Sequence, residues 1–499
     1  MSTREINWPK HPRILEINTW PWLNGLSETY GKPITLSNIP REVLDNEFTQ
    51  FDVVWLMGVW ERSPRGRYIA IEHPDLQEEY RKALEHFNTN DVVGSPYSIH
   101  YYHVDTQLGG IDGLATFRRQ LAKRDLILIL DYVPNHVSVD HLWTLEKSNV
   151  FIKGTTDDLI SHPNDFFSVG DVVYAHGRDP YFPPWTDTAQ INAFSSEARQ
   201  KAINTLLSIA EQSAGVRCDM AMLMTNSVFS RTWGARAGQP PETEYWDEVI
   251  QVVRDKHPEF KFLAEVYWDM EWELEQQGFD FCYDKRLYDR LIHENAQSVR
   301  AHLQAEWEYQ SKLLRFIENH DEQRAITTFG EEKSMAAAII ALTLPGARLI
   351  HEGQIFGYKI KLPVQLGRRV AEEKNQKLTH FYQNLLKSIP GKDFEKGKWM
   401  LCIVDSIDDS NFSNQNLIAY QWKLDEKRLL IVVNYSSIHS HGHVRIDEIE
   451  YGVANWNFID LLDQRNYIYK GENLSKYGLF VDLGPWHAHI FDVNKRMNY

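Results

Sequence analysis

The chain has 499 residues, a formal net charge of -16 and 43% hydrophobic residues. This length is enough for two or three domains with a sizeable core. No basic cluster stands out in the sequence, which argues against a nucleic-acid partner or an anionic membrane surface.

Cysteine content and the N-terminal sequence bear on the compartment. The chain has three cysteines, an odd and sparse set that argues against a disulfide framework. The first residues, MSTREINWPK, contain no apolar stretch of the kind that a signal peptide needs. No later run approaches the roughly 18 apolar residues that span a bilayer. We therefore expect a cytoplasmic protein without a membrane partner.

Short apolar runs alternate with amphipathic stretches along most of the chain. The stretches Leu114–Lys123, Glu197–Gln212 and Tyr245–Lys256 have the apolar spacing of helices. Repeated strand–helix units predict a parallel sheet of the α/β class, and eight of them predict a closed (β/α)8 barrel. The glycine fingerprint of an open, nucleotide-binding sheet is absent. The predicted strands are Ile14–Asn18, Val53–Met57, Leu126–Asp131, Gly215–Asp219, Phe260–Glu265, Phe279–Tyr283, Arg315–Glu318 and Arg348–His351.

Two intervals are too long for simple connections, and the pattern changes near the C-terminus. Gly66–Ile99 separates the second and third strands, and Val137–Ser195 follows the third. From residue 395 onward, short strands separated by turns predict an antiparallel sandwich. We therefore assign 1–136 and 196–394 to the barrel, 137–195 to an insertion and 395–499 to an all-β domain. The strands predicted in that domain are Leu401–Val404, Leu417–Trp422, Leu429–Asn434, His443–Ile446, Trp456–Asp460 and Ala488–Val493.

Four segments at predicted strand ends each carry a carboxylate. They are Asp131-Tyr-Val-Pro-Asn-His136, Gly215-Val-Arg-Cys-Asp219, Phe262-Leu-Ala-Glu265 and Phe316-Ile-Glu-Asn-His-Asp321. Active sites of such barrels form at the carboxyl ends of the strands, where these segments lie. In order and spacing they resemble the motifs of the alpha-amylase superfamily, glycoside hydrolase family 13. The resemblance implies a TIM barrel with a small B-domain insertion after the third strand and a C-terminal β-sandwich.

Asp219 is the candidate nucleophile and Glu265 the candidate general acid/base. Arg217 lies two residues before Asp219, on the same face of the strand, and its charge favours the ionised carboxylate. Glu265 follows an apolar strand end, where desolvation favours the protonated form. Retaining glycoside hydrolysis needs two such carboxylates about 5–5.5 Å apart. Taken alone, each residue has a structural alternative, an Arg–Asp pair for Asp219 and a capping role for Glu265.

The fourth segment supplies further residues by resemblance. Asp321 is implied to be the third carboxylate, which binds two hydroxyl groups of the sugar and helps to distort its ring. His320 is implied to donate to the same hydroxyl groups. Arg324 is expected to support the site by pairing with Asp321 or with one of its neighbours, and Glu318 is expected to be structural because it points to the opposite face from Asn319.

The first segment and an upstream loop supply the remaining implied contacts. By resemblance, His136 hydrogen-bonds the hydroxymethyl group of the cleaved sugar, and Asp131 anchors the site. Tyr97, in Ser95-Pro-Tyr-Ser-Ile-His-Tyr-Tyr102, matches a tyrosine that stacks under that sugar, and an ordinary buried loop tyrosine is its alternative. Asn135 matches a frequent calcium ligand of the family, but the insertion has no Asp-rich loop suited to an oxygen cage. The implied chemistry requires no cofactor.

One departure from the family pattern bears on the substrate. Many starch-cleaving members continue the nucleophile segment with a Lys-His pair that contacts the sugar on the leaving side, whereas this chain has Met222 and Leu223 there. The change puts ordinary endo-amylase activity and a calcium site in doubt and leaves the cleavage chemistry intact. We predict retaining hydrolysis of maltooligosaccharides or related alpha-glucans. A glucanotransferase and a disaccharide-active alpha-glucosidase or isomerase are the alternatives.

Two function classes compete with this prediction. A non-catalytic amylase-like binding protein would be expected to lack one of the three carboxylates, and all three are present. A metal-dependent hydrolase in an unrelated barrel would need ligand-spaced histidines at strand ends. His136, His320 and His351 form no His-x-His or His-x-x-x-His pair.

Overall fold

Eight parallel strands form a closed barrel in the computed structural model, which describes residues 7–146, 148–389 and 396–496. Each strand pairs with its neighbours in the chain, and the last pairs with the first. Nearly all their residues are buried, as expected for parallel strands covered on both faces, which explains the continuous apolar runs. The strands are β1 (Arg13–Asn18), β2 (Val53–Met57), β3 (Ile127–Tyr132), β4 (Gly215–Cys218), β5 (Lys261–Ala264), β6 (Phe281–Tyr283), β7 (Leu313–Arg315) and β8 (Ala347–His351).

The chain divides into two compact units. Strands β2 to β6 belong to the first unit, and β7 and β8 belong to the second. No helix in the described ranges is long and apolar enough to cross a membrane. The first unit comprises residues 7–8, Ile14–Tyr283 and Ile360–Ala371, and the second comprises Pro9–Arg13, Asp284–Lys359 and residues 372–389 and 396–496.

The seventh barrel strand lies earlier than the sequence predicts. The predicted strand Arg315–Glu318 is wrong, because β7 ends at Arg315. Arg315 is fully buried and its Nε lies 3.2 Å from Asp284 Oδ2, so a charged residue closes an otherwise apolar strand. Beyond Arg315 the chain no longer belongs to the strand. The Glu318 carboxylate there accepts a hydrogen bond from the backbone N–H of Ala325 at 2.7 Å.

Several helices begin at capping residues and bury one face. In Ser196–Gln212, the Ser195 side chain accepts a hydrogen bond from the Ala198 backbone, and buried residues recur at helical spacing. The three amphipathic stretches predicted as helices fall at helices of nearly the same bounds. The α-helices are Thr19–Tyr30, Arg41–Glu47, Pro64–Glu72, Pro74–Ala83, Gly110–Ala122, Thr156–Ser161, Ser196–Gln212, Asn226–Trp233, Tyr245–Lys256, Glu271–Gln276, Lys285–His293, Ala296–His302, Trp307–Ser311, Ala325–Phe329, Glu331–Thr343, Gln376–Ser388 and Gly471–Tyr477.

The long interval after β3 has a small apolar core of its own. Val150, Phe151 and Tyr174 are buried in it, and the Tyr174 hydroxyl donates to the Thr144 carbonyl at 2.8 Å. This packing fixes the loops that the interval carries. Its strand pairs are His136–Ser138 with Thr188–Gln190 and Phe166–Val169 with Val172–Ala175.

The part of the interval after β2 that lies between Arg62 and Ile99 contains two α-helices and packs against a distant segment, Ile360–Ala371. Leu366 of that segment joins the buried cluster around Tyr80. Arg368 donates to both carboxylate oxygens of Asp91, at 2.7 and 2.9 Å. The first unit therefore includes a stretch of chain that follows β8. The strands that flank the interval, Trp60–Arg62 and Ile99–Val104, pair with each other.

The C-terminal residues form two antiparallel sheets, as the sequence predicts. Trp456 is 7% exposed and belongs to their common apolar core, with Leu430, Phe458 and Val481. In spatial order the larger sheet contains Lys398–Leu401, Leu417–Leu424, Lys427–Asn434, Ala488–Lys495, Asn455–Asp460 and Asn466–Lys470, and the smaller contains Val404–Asp405, Ser440–Val444 and Leu479–Leu483.

One predicted strand of this region is wrong. Leu401–Val404 is divided between the two sheets, because Lys398–Leu401 pairs with Leu417–Leu424 whereas Val404 pairs with Val444. The chain crosses from one sheet to the other between these strands. One apolar run of the sequence therefore contributes residues to both sheets. The predicted boundary at 394/395 lies outside the described residues.

Candidate active site

The two candidate catalytic carboxylates follow adjacent strands of the barrel. Asp219 follows β4 and Glu265 follows β5, and the register of these strands pairs Cys218 with Ala264. The pairing continues for one more residue, since the Glu265 N–H donates to the Cys218 carbonyl at 3.0 Å. Parallel pairing therefore brings both carboxylates to the carboxyl ends of neighbouring strands.

One buried guanidinium joins these carboxylates. Arg217 Nη1 lies 2.9 Å from Asp219 Oδ1, and Arg217 Nη2 lies 2.7 Å from Glu265 Oε2. The Trp55 and Tyr97 rings flank the guanidinium, each with its centroid 5.3 Å from Arg217 Cζ. Burial lowers the pKa of Arg217, but Glu265 and other neighbours raise it well above its ordinary value. Arg217 is therefore a cation at every working pH.

Glu265 accepts three hydrogen bonds in this conformation. Besides Arg217, the donors are the Met220 backbone N–H and the Tyr267 hydroxyl, both at 2.7 Å. Met220 has φ 42°, a left-handed conformation that non-glycine residues adopt rarely and that clusters at functional sites. Tyr267 is absent from the residues predicted from the sequence. Its position two residues after Glu265, which favours the same side of an extended chain, is the signal that could identify it.

Asp131 is the third carboxylate near the arginine. Its carboxylate accepts hydrogen bonds from Trp55 Nε1 and from the Gly58 N–H, both at 3.2 Å, and its Oδ1 lies 3.7 Å from Arg217 Nη1. Asp131 is 2% and Arg217 1% exposed, so water screens their attraction little. Counting Asp219 and Glu265, three carboxylates surround one buried cation.

His136 is held neutral in the first unit. It is buried and lies against the Trp185 ring, with 5.1 Å between the ring centroids. Burial lowers the pKa of His136 to about 4, although a hydrogen bond with the Tyr97 backbone opposes the shift. The imidazole can therefore both donate and accept a hydrogen bond near pH 7.

Asn135, the candidate calcium ligand, is paired with a glutamine. Its Oδ1 accepts a hydrogen bond from Gln190 Nε2 at 2.9 Å, and its Nδ2 donates to Gln190 Oε1 at 3.3 Å. Within residues 7–146, 148–389 and 396–496, no group of three or more His, Cys, Asp or Glu side chains is arranged to hold a metal ion. The surroundings of Asn135 are thus an amide pair and do not fit the set of oxygen ligands that Ca²⁺ requires.

The motif Asn319-His320-Asp321 follows β7 in the second unit. Asn319 Oδ1 accepts the backbone N–H groups of Asp321 and Glu322, both at 2.9 Å, which fixes a tight turn. His320 Nε2 lies 3.0 Å from Asp321 Oδ2, and the His320 side chain is 2% exposed whereas that of Asp321 is 43% exposed. The turn therefore presents an accessible carboxylate backed by a buried imidazole.

Arg324 pairs with Glu318, a neighbour of Asp321 in sequence. The two side chains form a buried ion pair, and Arg324 also donates to the Glu352 carbonyl at 2.8 Å. Burial raises the pKa of Glu318, but the charge of Arg324 and other contacts bring it below its ordinary value. In this pair one carboxylate faces one cation, which fits the structural role predicted for Glu318.

The residues that replace the Lys-His pair face the protein interior. Met222 and Leu223 are 0% and 2% exposed, within the 3-10 turn Ala221–Met224. Trp246 Nε1 donates a hydrogen bond to the Ala221 carbonyl of this turn at 2.8 Å. The two side chains therefore offer almost no surface to a ligand.

Comparison with known proteins points to one family. Residues 87–395, which include all four motifs, match the family model of the alpha-amylase catalytic domain. Alpha-amylase 3 of Dictyoglomus thermophilum is 19% identical over 441 residues, which are 79% of this chain and 81% of that protein.

Solved structures share the fold. A noncanonic maltogenic alpha-amylase from Thermotoga neapolitana superposes with a TM-score of 0.66 at 16% identity, over 97% of this chain and 98% of that chain. The trehalose-6-phosphate hydrolase of Bacillus licheniformis superposes with a TM-score of 0.66 at 14% identity, over 98% of this chain and 100% of that chain. Two proteins whose names describe different sugars thus have the same architecture, and fold alone does not select a substrate.

Proposed function

This chain belongs to the alpha-amylase family of glycoside hydrolases, and on that basis we propose that it cleaves alpha-glucosidic bonds of maltooligosaccharides or related alpha-glucans with retention of configuration. The observation that carries the proposal is the single buried guanidinium of Arg217, 2.9 Å from Asp219 and 2.7 Å from Glu265. Two carboxylates on adjacent strands around one cation provide the nucleophile and the acid/base that such a reaction needs.

In the first step, Glu265 protonates the glycosidic oxygen while Asp219 attacks the anomeric carbon. The bond from that carbon to the leaving oxygen breaks, and an ester to Asp219 forms. In the second step, Glu265 takes a proton from water, whose oxygen attacks the same carbon and releases Asp219. Arg217 keeps Asp219 charged before attack, and Glu265 must release at least one of its three donors when it acts as an acid.

The other predicted residues have binding roles in this proposal. Tyr97 lies under the cleaved sugar, and the neutral His136 hydrogen-bonds its hydroxymethyl group. Asp321, with His320 behind it, binds two ring hydroxyl groups through charge-assisted hydrogen bonds. Asp131 helps to hold Arg217 in place through the same Nη1 atom that Asp219 contacts. No step involves calcium, since the amide pair at Asn135 does not fit that ion.

The test is product analysis beside Asp219→Asn. Maltooligosaccharides, cyclodextrin, pullulan, trehalose and sucrose are incubated with each protein, and the anomer formed first is followed by NMR. We expect alpha-anomeric products from the native enzyme and none from the variant. Shortened sugars alone would indicate hydrolysis, and lengthened ones would indicate transfer. A beta anomer as the first product would contradict retention, and products that persist in the variant would contradict the role of Asp219.

We also propose a cytoplasmic location, on the basis of cysteine usage. Cys218 and Cys402 are free thiols, and Cys282 is buried as they are. Buried unpaired thiols fit a reducing compartment. Fractionation of the native host, with detection of the protein by antibody, tests this location.

A further inference from the structure

The first unit contains a buried arginine, Arg62, whose hydrogen bonds all go to backbone carbonyls. Arg62 is 8% exposed, and its Nη1 lies 2.6 Å from the Gly94 carbonyl oxygen and 3.1 Å from that of Val364. Among the described residues, its Nε and Nη2 have no hydrogen-bond partner. The Trp20 ring lies beside the guanidinium, with its centroid 5.7 Å from Arg62 Cζ. The cation is thus enclosed by neutral groups.

These surroundings are unfavourable for a charge. Burial lowers the pKa of Arg62 to about 9, although Asp105, Tyr97 and Asp131 oppose the shift. Arg62 therefore keeps its proton at neutral pH while two of its nitrogens have lost water without gaining an acceptor, which costs free energy. An apolar side chain of similar volume would avoid this cost. The presence of an arginine here points to a role in the adjacent site.

The Gly94 carbonyl begins the turn that carries Tyr97. Within this turn, the Tyr97 N–H donates to Ser95 Oγ at 3.2 Å. The Tyr97 ring in turn lies against the catalytic cluster, with its centroid 5.3 Å from Arg217 Cζ. The contact from Arg62 therefore fixes the turn three residues before the ring.

A glycine makes room for the guanidinium beside this turn. Gly58 has φ 74°, and a Cβ added to it would lie 2.7 Å from Arg62 Nη2 and 3.0 Å from Pro96 Cβ. Any larger residue would therefore displace either the guanidinium or the turn. The Gly58 N–H also donates to Asp131 at 3.2 Å, so the same backbone contacts the carboxylate cluster around the nucleophile.

The other carbonyl that Arg62 contacts belongs to a segment with its own anchor. Val364 lies in Ile360–Ala371, where the Gly367 N–H donates to the Asp91 carbonyl at 2.8 Å. Arg62 thus connects the turn that carries Tyr97 to backbone that is fixed by other contacts.

We propose that Arg62 is a positioning residue, which keeps the Tyr97 ring under the cleaved sugar by joining the Gly94 carbonyl to the segment Ile360–Ala371. The inference rests on the proposed function and assigns a further determinant of sugar binding in that same site. Arg62 acts through geometry, because a displacement of about 1 Å in a group that positions the substrate can lower the rate by about 10²-fold.

The test is a double-mutant cycle between Arg62→Met and Tyr97→Ala, measured as kcat/KM on maltotriose. Arg62→Met alone is expected to lower kcat/KM about tenfold. In the Tyr97→Ala background the same substitution should lower it less than about twofold, since no ring remains to be positioned. A full tenfold loss in that background would overturn the inference.

The matched control is Arg67→Met. Arg67 also donates to two backbone carbonyls of the interval after β2, those of Val92 at 2.6 Å and Thr89 at 3.1 Å, but not to the turn that carries Tyr97. We expect its kcat/KM to stay within about twofold of the native value. Equal losses in Arg67→Met and Arg62→Met would show a general loosening of the interval and would contradict the role of Arg62.

A crystal structure of Arg62→Met gives a readout that needs no activity. We expect the Tyr97 ring to be displaced from Arg217, and an unmoved ring would overturn the inference. A native enzyme inactive on maltotriose would contradict the proposed function, and the position of the ring would still decide the role of Arg62. Arg62→Lys, which keeps the charge without the planar fork, takes the same measurements if Arg62→Met does not fold.

Discussion

The buried arginines Arg217, within β4, and Arg324, after β7, have surroundings that differ in charge. Arg217 in the first unit lies within 4 Å of three carboxylates, those of Asp131, Asp219 and Glu265. Arg324 in the second unit forms its buried ion pair with Glu318 and lies 2.9 Å from His351 Nδ1. In the first cluster three buried carboxylates share one cation. In the second, Glu318 is the buried ion-pair partner of Arg324, and Glu352 and Glu372 are further negative charges that act on this arginine.

This difference separates a reactive cluster from a structural one. Buried charge is costly unless it is neutralised, so a fold that needed only stability would pair a buried carboxylate closely with an arginine, as Glu318 is paired with Arg324. Excess charge beside a strained backbone at Met220 has no such benefit and is typical of sites that do chemistry. Substitutions in the two clusters should therefore affect different properties.

The largest effect is expected from Asp219→Asn. Removal of the nucleophile should lower kcat/KM on maltooligosaccharides by on the order of 10⁴-fold. Because the variant relieves excess negative charge around Arg217, we expect its free energy of unfolding to stay the same or rise. Activity assays and urea titrations measure the two effects. A variant that lost stability and activity together would contradict the division between the clusters.

The opposite result, a loss of stability and not of activity, is expected from Arg324→Met. Loss of the arginine leaves Glu318 buried without its cation, which should cost about 3–5 kcal/mol of unfolding free energy. The double variant Glu318→Gln with Arg324→Met should recover part of that loss, because no unpaired charge remains. Urea titrations of the native protein and of both variants measure this. A double variant less stable than the single one would show that the pair does more than balance charge.

Acid should weaken the fold through His136. Its pKa is lowered from 6.5 to about 4 in the folded protein, so between these values the unfolded chain binds a proton that the folded chain does not. Stability from this group is therefore complete above pH 6.5 and is lost as the pH falls toward 4, by about 2 kcal/mol at pH 5. In His136→Asn, the slope of unfolding free energy against pH in this window should fall by about one proton. An unchanged slope would contradict the neutral state of His136.

The smallest effect is expected from Tyr267→Phe. The substitution removes one donor to Glu265 and leaves the ring, so kcat/KM should change by about fivefold, a loss typical of one hydrogen bond. The change should lie mainly in kcat, since Tyr267 contacts the acid/base and not the sugar in our proposal. Steady-state kinetics separate kcat from KM. A change confined to KM would place Tyr267 among the substrate contacts.

Much of the site could be predicted because active-site residues of such barrels lie at the carboxyl ends of the strands. Asp219 and Glu265 each follow an apolar run of barrel length, and Arg217 shares the face of Asp219 by simple alternation. The same rule failed at β7, where the buried Arg315 ends the strand and Glu318 turns away. The partner of Arg315 is Asp284, which follows β6, and the sequence around Arg315 gives no sign of that pairing.

Contacts between distant segments account for what could not be predicted. The second carboxylate on Arg217 comes from another strand, and the Met220 N–H reaches Glu265 only because of a left-handed backbone. Tyr181 meets Trp268 across a long stretch of sequence with no shared motif. Such contacts depend on the packed geometry of the fold. The periodicity and residue spacing within one segment do not reveal them.

The Arg368–Asp91 ion pair has a consequence for the order of synthesis. Asp91 belongs to the interval after β2, whereas Arg368 is translated only after all eight barrel strands. During translation, the apolar cluster around Tyr80 and Val92 therefore stays incomplete until Leu366 has been synthesised. The first unit can be completed only when nearly three-quarters of the chain has been made, so the nascent protein exposes apolar surface during this time.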